Sequence, residues 1–260
     1  RLPWPVPRGK SRQDAGQAVN ERRKYVAESE TEGFLEDVLG FNFRSFRTLW
    51  DLIIRPNTVF RAYAARDRET YTPSLRLWLS LIGIQILISV VWGGYGGMVV
   101  AQFETQPPEV IASIENLLGA SIEEIAQPYG EAASFLHPIL VGGFTALSAF
   151  LIGAFNKSLS WAARINITFG ILSASSVVGL TLLLGVVLGA ATSLMNWMII
   201  PITLFYWLVF ARGAPGILAR TRTGAILKGA LFASVAIALV MVGGIVMSLA
   251  SFIYAANVVG

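Results

Sequence analysis

The chain has 260 residues, of which 54% are hydrophobic and only 14% charged, with a formal net charge of +4. A mean hydropathy of +0.61 sets it apart from an ordinary soluble domain, so the bilayer is its expected solvent. With no cysteine and a single histidine, disulfide frameworks, thiolate metal sites, paired-histidine haem ligation and Cys/His nucleophiles all lack their raw material. No cofactor, no metal and no catalytic residue is expected.

Residues 1–32 are polar, carry Pro3, Pro5 and Pro7, and offer too little apolar surface to fold alone. They read as an extended cytoplasmic tail. Trp4 and Val6, set between prolines, suit an extended peptide laid in a groove, either of a partner or of the chain's own collar.

Residues 33–76 form that collar. Phe43, Phe46, Trp50 and Ile53 recur at helical spacing while Arg44, Arg47 and Asp51 fall on another face, which predicts an interfacial helix over 43–54. Pro56 ends or kinks it. A second short helix follows in which Val59, Phe60 and Tyr63 offer an apolar side beside Arg61, Arg66 and Arg68. Basic groups next to anionic headgroups contribute roughly 1 kcal/mol each. The expectation is an anchor at the cytoplasmic membrane face, in which Phe43, Arg44, Phe46, Arg47, Trp50, Ile53 and Phe60 meet lipid; the alternative is a docking surface for a protein. Nucleic acid is not an expected partner, because the basic residues border a membrane span.

The stretch "LWDLIIRPNTVFRAYAARDRETYTPSLRLWLSL", with its apolar helix, Arg-Pro, Phe60 four residues after Pro56, charged turn and Pro73 before the first span, resembles the start of the Yip family of five-span membrane proteins and related bacterial domains of unknown function. The resemblance implies an all-helical membrane protein with a cytoplasmic N-terminus that acts by assembling with other proteins. Its eukaryotic relatives bind small GTPases. It brings no catalytic residues with it.

The remainder, residues 77–260, reads as an all-α, five-helix transmembrane domain. Apolar runs at 77–101, 138–155, 165–191, 194–211 and 229–254 contain no Asp, Glu, Lys, Arg or His. Each approaches or exceeds the ~17 to 25 residues that a helix needs to cross the hydrocarbon. Every Lys and Arg falls before the first run, between the second and third, or between the fourth and fifth. The segments on the other side carry Glu alone among charged residues. The positive-inside rule then places the N-terminus in the cytoplasm and the C-terminus outside. Absent cysteine and the plain composition lean towards a bacterial inner membrane.

Within the outer segment 102–137, Pro108 is expected to start a helix that Gly119 ends. Ser121 with Glu124 three residues on predicts a capping box, and Pro128 is expected to stop that second, short helix. Glu123 and Glu124 read as a solvated acidic face. His137 reads as a surface histidine, with pigment ligation as the sharper alternative.

Inside the spans, Gly185 and Gly189 stand one turn apart, and Ala230, Ser234 and Ala238, then Gly244 and Ser248, repeat that spacing. Such small-residue faces let helices approach closely. Spans without ionisable groups argue against a proton-coupled carrier. The expected function is a non-enzymatic accessory or assembly subunit that binds membrane lipids and a larger membrane protein complex through its tail, collar and small-residue faces. The alternative is a facilitator or permease for a neutral or lipid-like substrate, with Gln85, Asn166, Ser173, Ser176 and Thr203 lining a path.

Overall fold

Helix follows helix from Phe43 onward in a computed structural model that describes residues 43–67, 69–90, 93–187 and 197–259, all within the unit formed by residues 43–260. Trp4, the tail 1–32, residues 33–42 of the collar and Gly189 lie outside the described residues. Among the described residues there is no strand, only an isolated bridge between Pro215 and Ala219.

The collar comprises α1 (Phe43–Ile54) and α2 (Pro56–Ala64). Pro56 at the first position of α2 breaks the pair, since its fixed φ and missing N–H suit a helix start and not a helix interior. The first long apolar run is split into α3 (Ser74–Val90) and α4 (Gly94–Phe103), bent by 61° at the break. Gly93 and Gly94 take φ of 77° and 66°, a left-handed conformation that glycine enters without the penalty paid by L side chains.

α5 (Pro108–Leu118) starts at its proline and closes on Gly119 in the left-handed region, as its sequence predicts. α6 (Ile122–Ala146) opens on the predicted capping box: the Glu124 backbone N–H donates to the Ser121 hydroxyl, and the Ser121 N–H donates to the Glu124 carboxylate. Pro128 does not stop it. The helix runs through Pro128 and Pro138, and after a turn at Leu147 continues as α7 (Ser148–Phe155). Each proline forfeits one backbone bond. Burial of Ile125, Ala126, Tyr129 and Ala133 on the same helix outweighs that loss.

α8 (Trp161–Val187), α9 (Ile199–Gly213) and α10 (Arg222–Val259) complete the bundle. Pro201 lies in the first turn of α9, where its missing N–H costs no bond within that helix; residues 188–196 ahead of it lie outside the described residues. By length and composition, three helical stretches can cross a membrane: Ile122–Phe155, Trp161–Gly185 and Arg222–Val259. The bent pair α3–α4 makes a fourth if it counts as one span; α9, with 15 residues, is shorter. At 1.5 Å per residue the 38 residues of α10 extend ~57 Å, well beyond the ~30 Å hydrocarbon core.

α10 lies along α6, α9 packs between α10 and α8, α3 packs on α8, and α4 on α6. The basic loops gather at one end. There the Asn57 amide donates to the Gly213 and Pro215 carbonyls, both at 2.8 Å, and Asn156 donates to the Ile217 carbonyl at 2.8 Å. At the other end Phe103 and Tyr129 ring-pack on Phe252, and the Tyr129 hydroxyl donates to Ser248. This is the end to which the segment with six Glu and no Lys or Arg belongs.

Within this chain the packing seam of α10 is not the expected Ala230–Ser234–Ala238 face, while Ser248 of the second expected face does meet Tyr129. Ala230, Ser234 and Ala238 are exposed, and the packing stripe of α10 runs instead through Ala225, Gly229, Ala233 and Ala236, then Gly243, Met247, Ser251 and Ala255. A Cβ at Gly185 or Gly244 would meet nothing within 4 Å. Both stripes of α10 have the i, i+4 spacing, and only the position of α6 and α9 selects between them. Close approach is greatest where it was not anticipated: a Cβ on Gly96 would stand 2.2 Å from the Ala126 carbonyl oxygen, and one on Gly130 would stand 2.8 Å from the Gly96 nitrogen.

Candidate functional site

α1 is an amphipathic helix turned inside out. Ser45, Thr48, Asp51 and Leu52 are buried, while Phe43, Phe46, Trp50 and Ile54 are 77%, 59%, 55% and 44% exposed. Ile53 and Arg44 are half-buried and Arg47 is exposed. The expected lipid face is therefore presented outward, apart from the half-covered Ile53.

What holds the helix in this pose is a polar chain across four elements. The Thr72 N–H donates to the Thr48 hydroxyl at 2.9 Å, and the Ser45 and Thr72 hydroxyls lie 3.2 Å apart. The Tyr63 hydroxyl on α2 donates to the Thr72 carbonyl at 2.9 Å and accepts from Ser74 Oγ at 2.6 Å. The Ser74 N–H, at the start of α3, donates to Asn166 Oδ1 on α8 at 2.9 Å. Beside this chain the buried Asp51 carboxylate accepts from the Tyr71 hydroxyl at 2.9 Å and pairs with Arg55 at 2.8 Å and Arg47 at 3.9 Å. Burial, together with donation to Asp51, holds the Tyr71 phenol above its ordinary pKa, and burial, with a smaller contribution from Tyr71, raises Tyr63; both stay neutral donors. Arg212 closes the arrangement from α9, donating to the Ile53 and Ile54 carbonyls at 3.1 and 2.6 Å. A cation there suits the negative end of the α1 dipole.

Phe60 does not belong to the exposed face. It is fully buried, and a Cβ on Gly213 would stand 2.3 Å from its ring, so it anchors α2 to the end of α9. The chain-order pattern placed it beside arginines, but packing on a glycine decided its side. Sequence reading also missed the roles of Thr48, Tyr71, Thr72 and Ser74. The i, i+4 spacing of Asp51 and Arg55 is a local feature that went unread, whereas nothing local signals that Tyr71 returns to meet them.

Two hollows meet behind the collar. One, of about 540 Å³, is the more polar of the two: its mixed lining sets Arg66, Asp67 and Ser160 beside Tyr71, Ala162 and Ala163. The second, of about 600 Å³, is an apolar groove between α3, α6 and α8 that includes Trp78, Leu79, Gly143, Trp161 and Phe169. Pro73, Ala162 and Asn166 line both. Of the five polar residues expected along a path, Asn166 faces these hollows. Ser173, Ser176 and Thr203 donate to carbonyls one turn back in their own helices. His137 is half-buried rather than free on the surface: its Nδ1 meets the Tyr95 hydroxyl, with the two rings 5.6 Å apart.

An all-helical chain with several membrane-length apolar helices and a polar-cored collar is the class these features define. A family model described as "Protein of unknown function (DUF3667)" matches residues 44–86, the segment that holds α1, α2, Tyr71, Ser74 and most of α3. No curated protein and no solved structure matches the chain.

Proposed function

We propose that the chain is an integral membrane accessory subunit that docks on a larger membrane protein complex, with the aromatic face of α1 as its contact surface. The carrying observation is the inverted amphipathicity of α1. Its polar residues are committed to Thr72 and Tyr71, so water is not what the opposite face was built to meet, and three aromatic rings more than half exposed fit an apolar surround. The five-span plan, with basic ends cytoplasmic in a bacterial inner membrane, belongs to this proposal. It is supported by the gathering of the basic loops at one end of the bundle. Five spans are also what the Yip resemblance implies.

A benzophenone amino acid at Trp50 is expected to crosslink to one protein of defined mass in native membranes. Phe46→Ser with Trp50→Ser should remove that protein from the complex purified in mild detergent. Crosslinks to lipid alone, with the chain running as a lone monomer, overturn the subunit reading and leave α1 as a lipid anchor. For topology, the absence of native cysteine makes single additions clean. Gln106→Cys should label with an impermeant maleimide in intact cells and Arg220→Cys should not; the reverse pattern sinks the orientation.

The permease alternative draws support from one observation, the groove that Asn166 shares with the polar hollow.

A further inference from the structure

We infer that the polar hollow and the adjoining groove together hold one phospholipid with a primary-amine headgroup. Its phosphate lies toward Arg66 and the first turn of α8, its ammonium toward Asp67, and an acyl chain follows the groove past Gly143. This rests on the membrane setting of the chain and not on any protein partner.

The first ground is the pairing of chemistries. Hollows of about 540 and 600 Å³, the first carrying the charged groups and opening through Pro73, Ala162 and Asn166 into the almost wholly apolar second, suit a molecule that is itself polar at one end and apolar at the other. The groove is rimmed by Leu75, Leu79 and Trp161, which are 41%, 46% and 49% exposed, so a lipid can enter sideways.

The second ground is a broken local rule. α2 ends in a Schellman motif: the Asp67 N–H donates to the Ala62 carbonyl at 2.9 Å, and the Arg66 N–H to the Tyr63 carbonyl at 3.1 Å. The residue in the left-handed position of that motif is commonly glycine, yet here it is Arg66 at φ 61°, the one non-glycine residue with positive φ among those described. A strained position that keeps a cation in place of glycine, on the lining of a hollow, points to use of that cation.

The third ground is the adjacent anion. Asp67 Oδ1 accepts from the Glu69 and Thr70 N–H groups at 2.9 and 3.0 Å; the Thr70 side chain first, then these two backbone bonds, hold its carboxyl below the usual range. Among the described residues that line it, the hollow therefore presents Arg66 and Asp67 side by side, with the positive end of the 27-residue α8 nearby to favour a phosphate. That charge pattern matches a phosphate ester carrying an ammonium. Phosphatidylglycerol offers no cation to Asp67, and the quaternary amine of phosphatidylcholine offers it no hydrogen bond.

The test uses the full chain in mild detergent, titrated with phosphatidylethanolamine, phosphatidylcholine or phosphatidylglycerol and read by native mass spectrometry and thermal shift. One phosphatidylethanolamine should bind in preference to the others and raise Tm. Asp67→Asn keeps an acceptor for the turn but loses the charge. It should cost about tenfold in apparent affinity for phosphatidylethanolamine, the order of one charge-assisted contact, and erase the headgroup preference. Gly143→Leu, at a position where a Cβ meets nothing within 4 Å, should plug the groove and abolish the shift for all three lipids. Arg66→Gly should relieve the left-handed strain, leaving the lipid-free Tm no lower, while the lipid-dependent shift disappears. Equal binding of the three lipids, a shift that survives Gly143→Leu, or detergent alone reproducing the shift overturns the inference. So does a lipid response in Arg66→Gly equal to that of the unmodified protein.

Discussion

Gly96→Ala should cost the protein roughly 3 kcal/mol or more, at or above the upper range for forcing one extra methyl group into a packed interior. The reason is what the methyl would meet. It would stand 2.2 Å from the Ala126 carbonyl oxygen and 2.9 Å from its carbon, and these are backbone atoms of α6 that cannot rotate away. At the same crossing a Cβ on Gly130 would approach the Gly96 nitrogen, so α4 and α6 meet backbone to backbone with no side chain between them. Val99, Ile125 and Tyr129 pack around this point and would have to part for the helices to separate. Gly185→Ala is the control. Its methyl enters open space and alanine favours the helix by about 1 kcal/mol over glycine, so that variant should hold or gain stability. Thermal unfolding in detergent of the two variants side by side reads the difference. Equal melting temperatures would mean that α4 does not sit on α6 as described.

That contrast marks the limit of what the sequence discloses. Apolar periodicity and charge are local quantities, so the helical class, the break at Pro56, the Gly119 cap and the Ser121 capping box follow from a few neighbouring residues each. The inversion of α1 is partly local as well: the arc Phe43, Phe46 and Trp50 is visible at helical spacing, and it is the arc that lies exposed. Which small stripe of α10 packs is not local, because Ala225–Gly229–Ala233 and Ala230–Ser234–Ala238 have the same spacing and differ only in what stands opposite. Phe60 fails for the same reason, since its fate depends on Gly213, which lies far along the chain. Pro128 shows propensity overruled: a single residue argues for a stop, and the buried face of α6 against α4 and α10 carries the helix through. The hollow behind the collar needs Pro73 and Asn166 to meet, and no pattern within either segment announces it.

Asp51→Ala should lower stability by about 2 to 3 kcal/mol, and the partner that sets this figure is Tyr71 rather than either arginine. Asp51 is 1% exposed, whereas the side chains of Arg47 and Arg55 are 56% and 64% exposed. Ion pairs with such accessible cations are worth roughly 0 to 1 kcal/mol, and both guanidinium groups recover water when the carboxylate goes. The Tyr71 hydroxyl does not. It is buried with its ring 3% exposed, and without Asp51 Oδ2 it becomes a desolvated donor with nothing in its place. Two further variants separate these contributions. Asp51→Asn keeps an acceptor for Tyr71 while discarding the charge, so its loss should stay within about 1 kcal/mol. Tyr71→Phe added to Asp51→Ala should cost less than the sum of the single changes, with a coupling of about 1 to 2 kcal/mol, because each removes the other's unsatisfied partner. The Trp50 face offers a second readout: in the chain reconstituted without its partner, with Trp50 as its single tryptophan, Asp51→Ala should change quenching by brominated lipids where Asp51→Asn does not. A full loss in Asp51→Asn equal to that in Asp51→Ala would assign the stabilisation to the ion pairs and reverse this account of the collar.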